Sequence, residues 1–214
     1  MSLFALVAAA GVALGWARGG RLVDLQTVRL REAWLVPLAV VPQLLLVFLP
    51  PQDGVEPLRL AIPISTVVLA WFVLANLHLT GMWLVLAGLA LNLAVVVANG
   101  GLMPTNQQAL AGAGMAAGFG LTPDHPGTRL PKTKDTVLPL AQTRLWPLSD
   151  TLVSPPLPRR HVMSVGDLLI GAGTTLAIAG GMRRRVRRAP AAGAAERAML
   201  AEAVAYVRRR RLTA

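Results

Sequence analysis

Apolar residues along this chain run in blocks parted by short polar or basic stretches, without the every-other-residue alternation of a half-buried strand. Five blocks, residues 2–16, 33–50, 60–77, 82–98 and 165–181, approach the roughly 20 residues that a helix needs to cross a bilayer. The pattern predicts an all-α polytopic membrane protein with about five transmembrane helices, the first the shortest. It divides the chain into helices one to four (1–98), a long Pro-rich extracytoplasmic loop module (99–163), a fifth helix (164–182) and a basic cytoplasmic tail (183–214). In the tail, residues 194–211 are expected to form an amphipathic helix with Met199, Leu200, Ala203, Val204 and Val207 near one face.

Composition agrees with this division: 54% of residues are apolar and only 14% charged, more apolar than a soluble core requires. Met1 and Ser2 lead directly into Leu3 and the first charge is Arg18, so the first block lacks the basic start of a cleaved signal peptide and is expected to stay as a helix. Cysteine is absent, which excludes disulfides, thiolate metal sites and cysteine catalysis. The net charge of +11 lies mainly beside the ends of apolar blocks, with no interleaved aromatic motif, so no nucleic-acid partner is expected.

Orientation follows from arginine. Arg18, Arg21, Arg29 and Arg31 follow the first block, and Arg183, Arg184, Arg185, Arg187 and Arg188 follow the fifth. Short basic segments stay cytoplasmic. The N-terminus and the long loop then lie outside and the C-terminus inside, in a multi-pass plasma (inner) membrane protein. The second arginine cluster is expected to meet anionic lipid headgroups, and other membrane proteins are the further expected partners.

Inside the blocks, Pro37, Pro42 and Pro63 each remove a backbone donor and are expected to kink or interrupt their helices. Asn92 and Asn99 are seven residues apart and share a helix face; Asn92 is expected to hydrogen-bond between helices. The run Asn99-Gly100-Gly101-Leu102-Met103-Pro104 stops the fourth helix and turns the chain, with a positive φ expected at one glycine or more. Residues 107–115 are expected to form a short amphipathic helix. His125 and His161 are too isolated to make a ligand set, so neither a metal nor a cofactor is expected.

The chemistry-bearing candidates are two acids. Ser164-Val165-Gly166-Asp167 has the layout of a capping box, with Ser164 at the N-cap and Asp167 three residues on, and Asp150 lies in the turn Ser149-Asp150-Thr151. Both fall on the expected outer side, where paired carboxylates could share a proton and activate water.

The segments from Asn99 to Pro104 and from Ser164 to Ile170, with the basic, Pro-rich stretch between, resemble an uncharacterised bacterial membrane family, DUF5317, which implies no activity. More loosely, the last third resembles type II (lipoprotein) signal peptidases, whose catalytic aspartates match Asp150 and Asp167 in order, approximate spacing and side of the membrane. Ser164 and Gly166 depart from the peptidase motif, which has Asn and Ala there. The sequence thus points first to a non-catalytic structural or accessory membrane component that binds partners or lipid. Its alternative is an aspartate-dependent membrane peptidase using Asp150 and Asp167. A small-molecule carrier is a third reading, with only Gln43, Asn76, Asn92 and Thr174 or Thr175 polar inside the helices.

Overall fold

The computed structural model describes residues 3–50, 57–115, 129–155 and 160–183, together with Met199 and Glu202. Residues 1–183 form one compact unit and 184–214 a second. The expected tail helix (apart from those two residues), Arg184, Arg185, Arg187, Arg188 and His125 lie outside the described residues.

The described chain is mostly helical, with α1 (Leu3–Ala17), α2 (Leu35–Val47), α3 (Leu58–Ala75), α4 (Met82–Ala98), the short α5 (Gln107–Gly112) and α6 (Val165–Gly181). Among these, α3, with 18 residues and mean hydropathy 2.0, is long and apolar enough to cross a membrane; α1, α2, α4 and α6 are shorter apolar helices. Pro37 falls in the first turn of α2, where backbone N–H groups have no intrahelical partner in any case. Pro42 and Pro63 lie inside α2 and α3, yet both helices continue through them. The expected interruptions are therefore absent.

The long helices pack side by side in the order α1, α6, α4, α3, α2. α2 with α3 and α3 with α4 form antiparallel hairpins, while α6 returns between α1 and α4. It runs parallel to α1, since Gly11 faces Ile178 and Gly15 faces Met182, and antiparallel to α4, since Gly81 faces Gly173 and Gly88 faces Gly166. Gly166 and Gly173 are seven residues apart, two turns along one face of α6, and meet Gly88 on α4 and Gly81 at its N-cap. A Cβ at Gly88 or Gly173 would run into the opposing backbone, so these two helices approach more closely than any side chain would allow.

The row of helices has two unlike ends. Arg18, Arg21, Arg29, Arg31 and Arg183 gather at one. There the Arg21 N–H donates to the Met182 carbonyl at 3.0 Å, and the buried Asn76 side chain pairs with both backbone groups of Arg31, accepting from its N–H at 2.9 Å and donating to its carbonyl at 2.8 Å. At the other end, the described residues between 99 and 164 fold against α2, α3 and α4 over a core of Leu58, Ile62, Val95, Val96, Leu102 and Met103. Buried Arg129 ties this module to the last turn of α2, donating to the carbonyls of Val47 and Leu49 at 3.4 and 2.6 Å. A guanidinium there meets the negative end of the helix dipole.

The module differs from the expected loop. It carries β1 (Met103–Thr105) paired in parallel with β2 (Asp135–Val137), and β3 (Leu152–Val153) paired antiparallel with β4 (Val162–Met163). The helix expected over 107–115 ends at Gly112, because Gly114, with φ of 72°, turns the chain. Its start is fixed by Asn106, whose side chain accepts from the Ala109 N–H at 2.7 Å.

Candidate functional site

Strand β1 brings two distant acids together. Met103 is in register with Asp135 of β2, and Thr105 bridges to Asp150 on the opposite edge. Residues two apart on a strand point to the same face, so the partners of Met103 and Thr105 do likewise. Asp150 is pinned by its main chain: its N–H donates to the Pro104 carbonyl at 3.1 Å, and its carbonyl accepts from the Thr105 hydroxyl at 3.1 Å.

Asp135 and Asp150 both line a cavity of about 190 Å³. Its polar lining comprises Thr105, Thr133, Asp135, Asp150 and His161, and an apolar wall is made by Leu110, Met115, Leu130 and Val162. Asp150 is only 7% exposed. The Oδ1 atoms of Asp135 and Asp150 and the Nε2 of His161 are buried without a hydrogen-bond partner. Unpaired buried polar atoms cost on the order of 1–3 kcal/mol each, so such a grouping calls for a reason.

Burial pushes the Asp135 carboxyl up to about 6; Lys134 opposes the rise and Asp167 adds to it. Burial likewise pushes Asp150 well above the usual carboxylate range, helped by the charge of Asp135 and then of Asp167, against Lys134. The cluster can therefore hold protons near neutrality and can accept hydrogen bonds from a bound donor. Among the described residues, no group of three or more His, Asp or Glu side chains is placed to hold a metal ion.

Asp167 stands apart from this cavity lining. Ser164 caps α6 with its hydroxyl accepting from the Asp167 N–H at 3.0 Å, and the Asp167 Oδ2 accepts from the Ser164 N–H at 3.2 Å, a complete capping box. Its Oδ1 accepts from the Asn92 amide at 2.9 Å, and the Ser164 hydroxyl donates to the Asn92 Oδ1 at 2.9 Å. Both oxygens of Asp167 are thus engaged. The charge that acts most on Asp150 is that of Asp135, which the sequence placed only in a polar stretch of the loop.

The turn after α4 supports the module from below. Asn99 donates to the Val95 carbonyl within its own helix and pairs with both backbone groups of Arg144, at 2.8 and 2.9 Å. Gly100 and Gly101 both have positive φ, 79° and 94°, and Pro104 is the middle residue of β1. A Cβ at Gly101 would collide with the Arg59 backbone, which crosses directly beneath the turn. Arg183 is exposed at the opposite end of the helices.

The acids that line the cavity come from segments with no local signature. Asp135 and Asp150 are joined only by the pairing of β1 with residues some 30 and 45 positions later, and His161 enters beside β4 through the β3–β4 pair. The run Asp135-Thr136-Val137 is too short to show a period of its own.

In comparison with known proteins, the model of DUF5317, a family of unknown function, matches residues 27–179. No curated protein and no solved structure matches the chain. The expected likeness to type II signal peptidases finds no support in these comparisons.

Proposed function

The chain belongs to the DUF5317 family, and since that family's function is unknown we propose one from the geometry: a multi-pass membrane protein that carries a non-catalytic binding module on its outer face. In this reading α1, α2, α3, α4 and α6 lie in the bilayer of the plasma membrane. The arginine end is cytoplasmic and residues 99–164 are outside. The arginines that follow α6 meet anionic headgroups.

One observation carries the proposal. Trp16, Trp34, Trp71 and Trp83 are 59–66% exposed and sit near the ends of four different helices, all toward the end that holds Arg18, Arg21, Arg29, Arg31 and Arg183. Tryptophan favours the membrane–water interface, and arginine the cytoplasmic side of it. Along the helices, Phe4, Leu38, Leu44, Leu60, Ile64 and Val67 are exposed as well. In water so much exposed apolar surface would drive aggregation, whereas lipid tails cover it.

Brominated lipids test this reading. With single-tryptophan variants in bilayers, lipids brominated near the headgroup are expected to quench Trp16, Trp34 and Trp83 more than lipids brominated near the chain end. Equal absence of quenching for all three would place the helices in water and reject the proposal.

A second reading, aspartate-dependent hydrolysis, is favoured by the two cavity carboxyls with raised proton affinity, since one could act as acid and the other as base. Its pair is Asp150 with Asp135, because both oxygens of Asp167 are held by the cap and by Asn92. Cleavage of a membrane-anchored peptide by the purified protein, abolished by Asp150→Asn, would place this reading above the first.

A further inference from the structure

The cavity beside β1 has a chemistry that selects its occupant. Two carboxyl oxygens, one each from Asp135 and Asp150, and the His161 Nε2 are buried and unpartnered, and all three residues line the cavity. An anion would face Asp135 and Asp150, with Asp167 near enough to add its charge. A neutral apolar molecule would leave the oxygens unpaired. A metal ion lacks a converging set of three side chains among the described residues. What remains is a cation that donates hydrogen bonds and carries an apolar body.

We propose that the cavity of the outer module binds a small primary ammonium compound, its N–H groups donating to Asp135 and Asp150 and its hydrocarbon part lying against Leu110, Met115, Leu130 and Val162. An ammonium has three donors and no acceptor, which matches a lining rich in acceptors. The size agrees: a buried cavity of about 150 Å³ is known to hold benzene, so about 190 Å³ takes a body of roughly six to eight heavy atoms. The same chemistry is offered by a free amine and by a lysine side chain of a bound peptide. Lys134 is the nearby cation that already lowers the proton affinity of both acids, and it does so less than burial raises it. A bound ammonium would complete that neutralisation.

This inference rests on the reading of residues 99–164 as a binding module. Its test is independent of orientation in the membrane: failure to bind an amine leaves the tryptophan quenching untouched, and absent quenching leaves amine binding untouched.

The experiment is equilibrium dialysis of labelled cyclohexylammonium against the full chain in lipid nanodiscs, with empty nanodiscs subtracting lipid partitioning. One saturable site is expected, with affinity falling at least about tenfold in Asp150→Asn and in Asp135→Asn, as loss of a buried charged partner should bring. Cyclohexanol, of nearly the same shape and without charge, should not compete. A peptide ending in an unhindered lysine that competes would assign the site to a protein ligand, and failure of that peptide would assign it to a free amine. Competition by cyclohexanol as strong as by unlabelled amine would overturn the proposal, as would displacement by magnesium ions or unchanged affinity in both variants. Should either variant fail to fold, the competition on the unaltered protein decides alone.

Discussion

Asn92 in the middle of α4 donates its side-chain amide to the Asp167 Oδ1 at 2.9 Å, while the other oxygen of Asp167 accepts from the Ser164 main chain. One residue thus closes the capping box of α6 and fastens it to the neighbouring helix, directly beside the Gly88 and Gly166 contact. Asp167 is spent on structure, and that separates it from the acids of the cavity.

Removing this tie has a cost that can be sized. Asp167→Ala takes away a cap worth about 1 kcal/mol and leaves the Asn92 amide without its acceptor, for a total loss of about 2 kcal/mol. Asn92→Ala should lose a similar amount. Because the two residues share one interaction, the double variant should lose less than the sum by about 0.5 kcal/mol or more. Denaturant unfolding in detergent measures all three; strict additivity would mean that the pair is not coupled.

Asp150→Asn and Asp135→Asn should act in the opposite direction. Each removes a carboxyl from a buried group of like charges, so neither should lower stability at neutral pH, and either could raise it. A loss of about 2 kcal/mol for Asp150→Asn, equal to that of Asp167→Ala, would contradict the division of roles.

The pH dependence follows from the same burial. The folded state holds the Asp135 proton up to about 6, whereas an unfolded chain releases it near the ordinary aspartate value of 3.8. Between those values the folded state binds more protons, so the contribution of this group is full at low pH and is lost as pH rises toward 6. The fall is at most about 3 kcal/mol, and Asp150 acts in the same direction. The stability difference between the unaltered protein and Asp135→Asn, followed from about pH 4 to pH 7, should shift in favour of the variant as pH rises. A shift in favour of the unaltered protein would show the carboxyl to be stabilised, not strained, by its site.

The two turn glycines should not be equivalent. Gly100 has φ of 79° and its missing Cβ would meet only the flexible end of Arg59, at 3.3 Å, so Gly100→Ala should cost about 1 kcal/mol of backbone strain. At Gly101 the obstacle is the Arg59 main chain itself, which cannot rotate away. Gly101→Ala should therefore cost more, about 2–4 kcal/mol, by strain plus a forced shift of α3. Equal melting temperatures for the two variants would remove the close approach from the account.

How much of this could be read beforehand differs by element. Local spacing carried the helices: the apolar runs at Met82–Ala98 and Val165–Gly181 are the helices α4 and α6 themselves, and Ser164 with Asp167 spells out the cap within four residues. The strands could not be seen, because two or three residues hold no period, and each partner lies far away: Met103 with Asp135, Thr105 with Asp150, Leu152 with Met163. Asp135 was hidden for that reason, as a polar residue in a polar stretch. The pairing of Asn76 with the Arg31 backbone was equally hidden; from sequence Asn76 is just a polar residue near a helix end. The tryptophans were in plain view as apolar residues, and only their gathering beside the arginines gives them a meaning.

The central claim is that the module and the arginine end face opposite sides of a membrane. The chain contains no cysteine, so single exposed positions can be tagged without background: Gln142→Cys in the module and His78→Cys in the turn between α3 and α4. With a membrane-impermeant thiol reagent on intact cells, Gln142→Cys should be labelled at once and His78→Cys only after the membrane is opened. Labelling of His78→Cys in intact cells with Gln142→Cys protected, or equal labelling of both, would contradict the account.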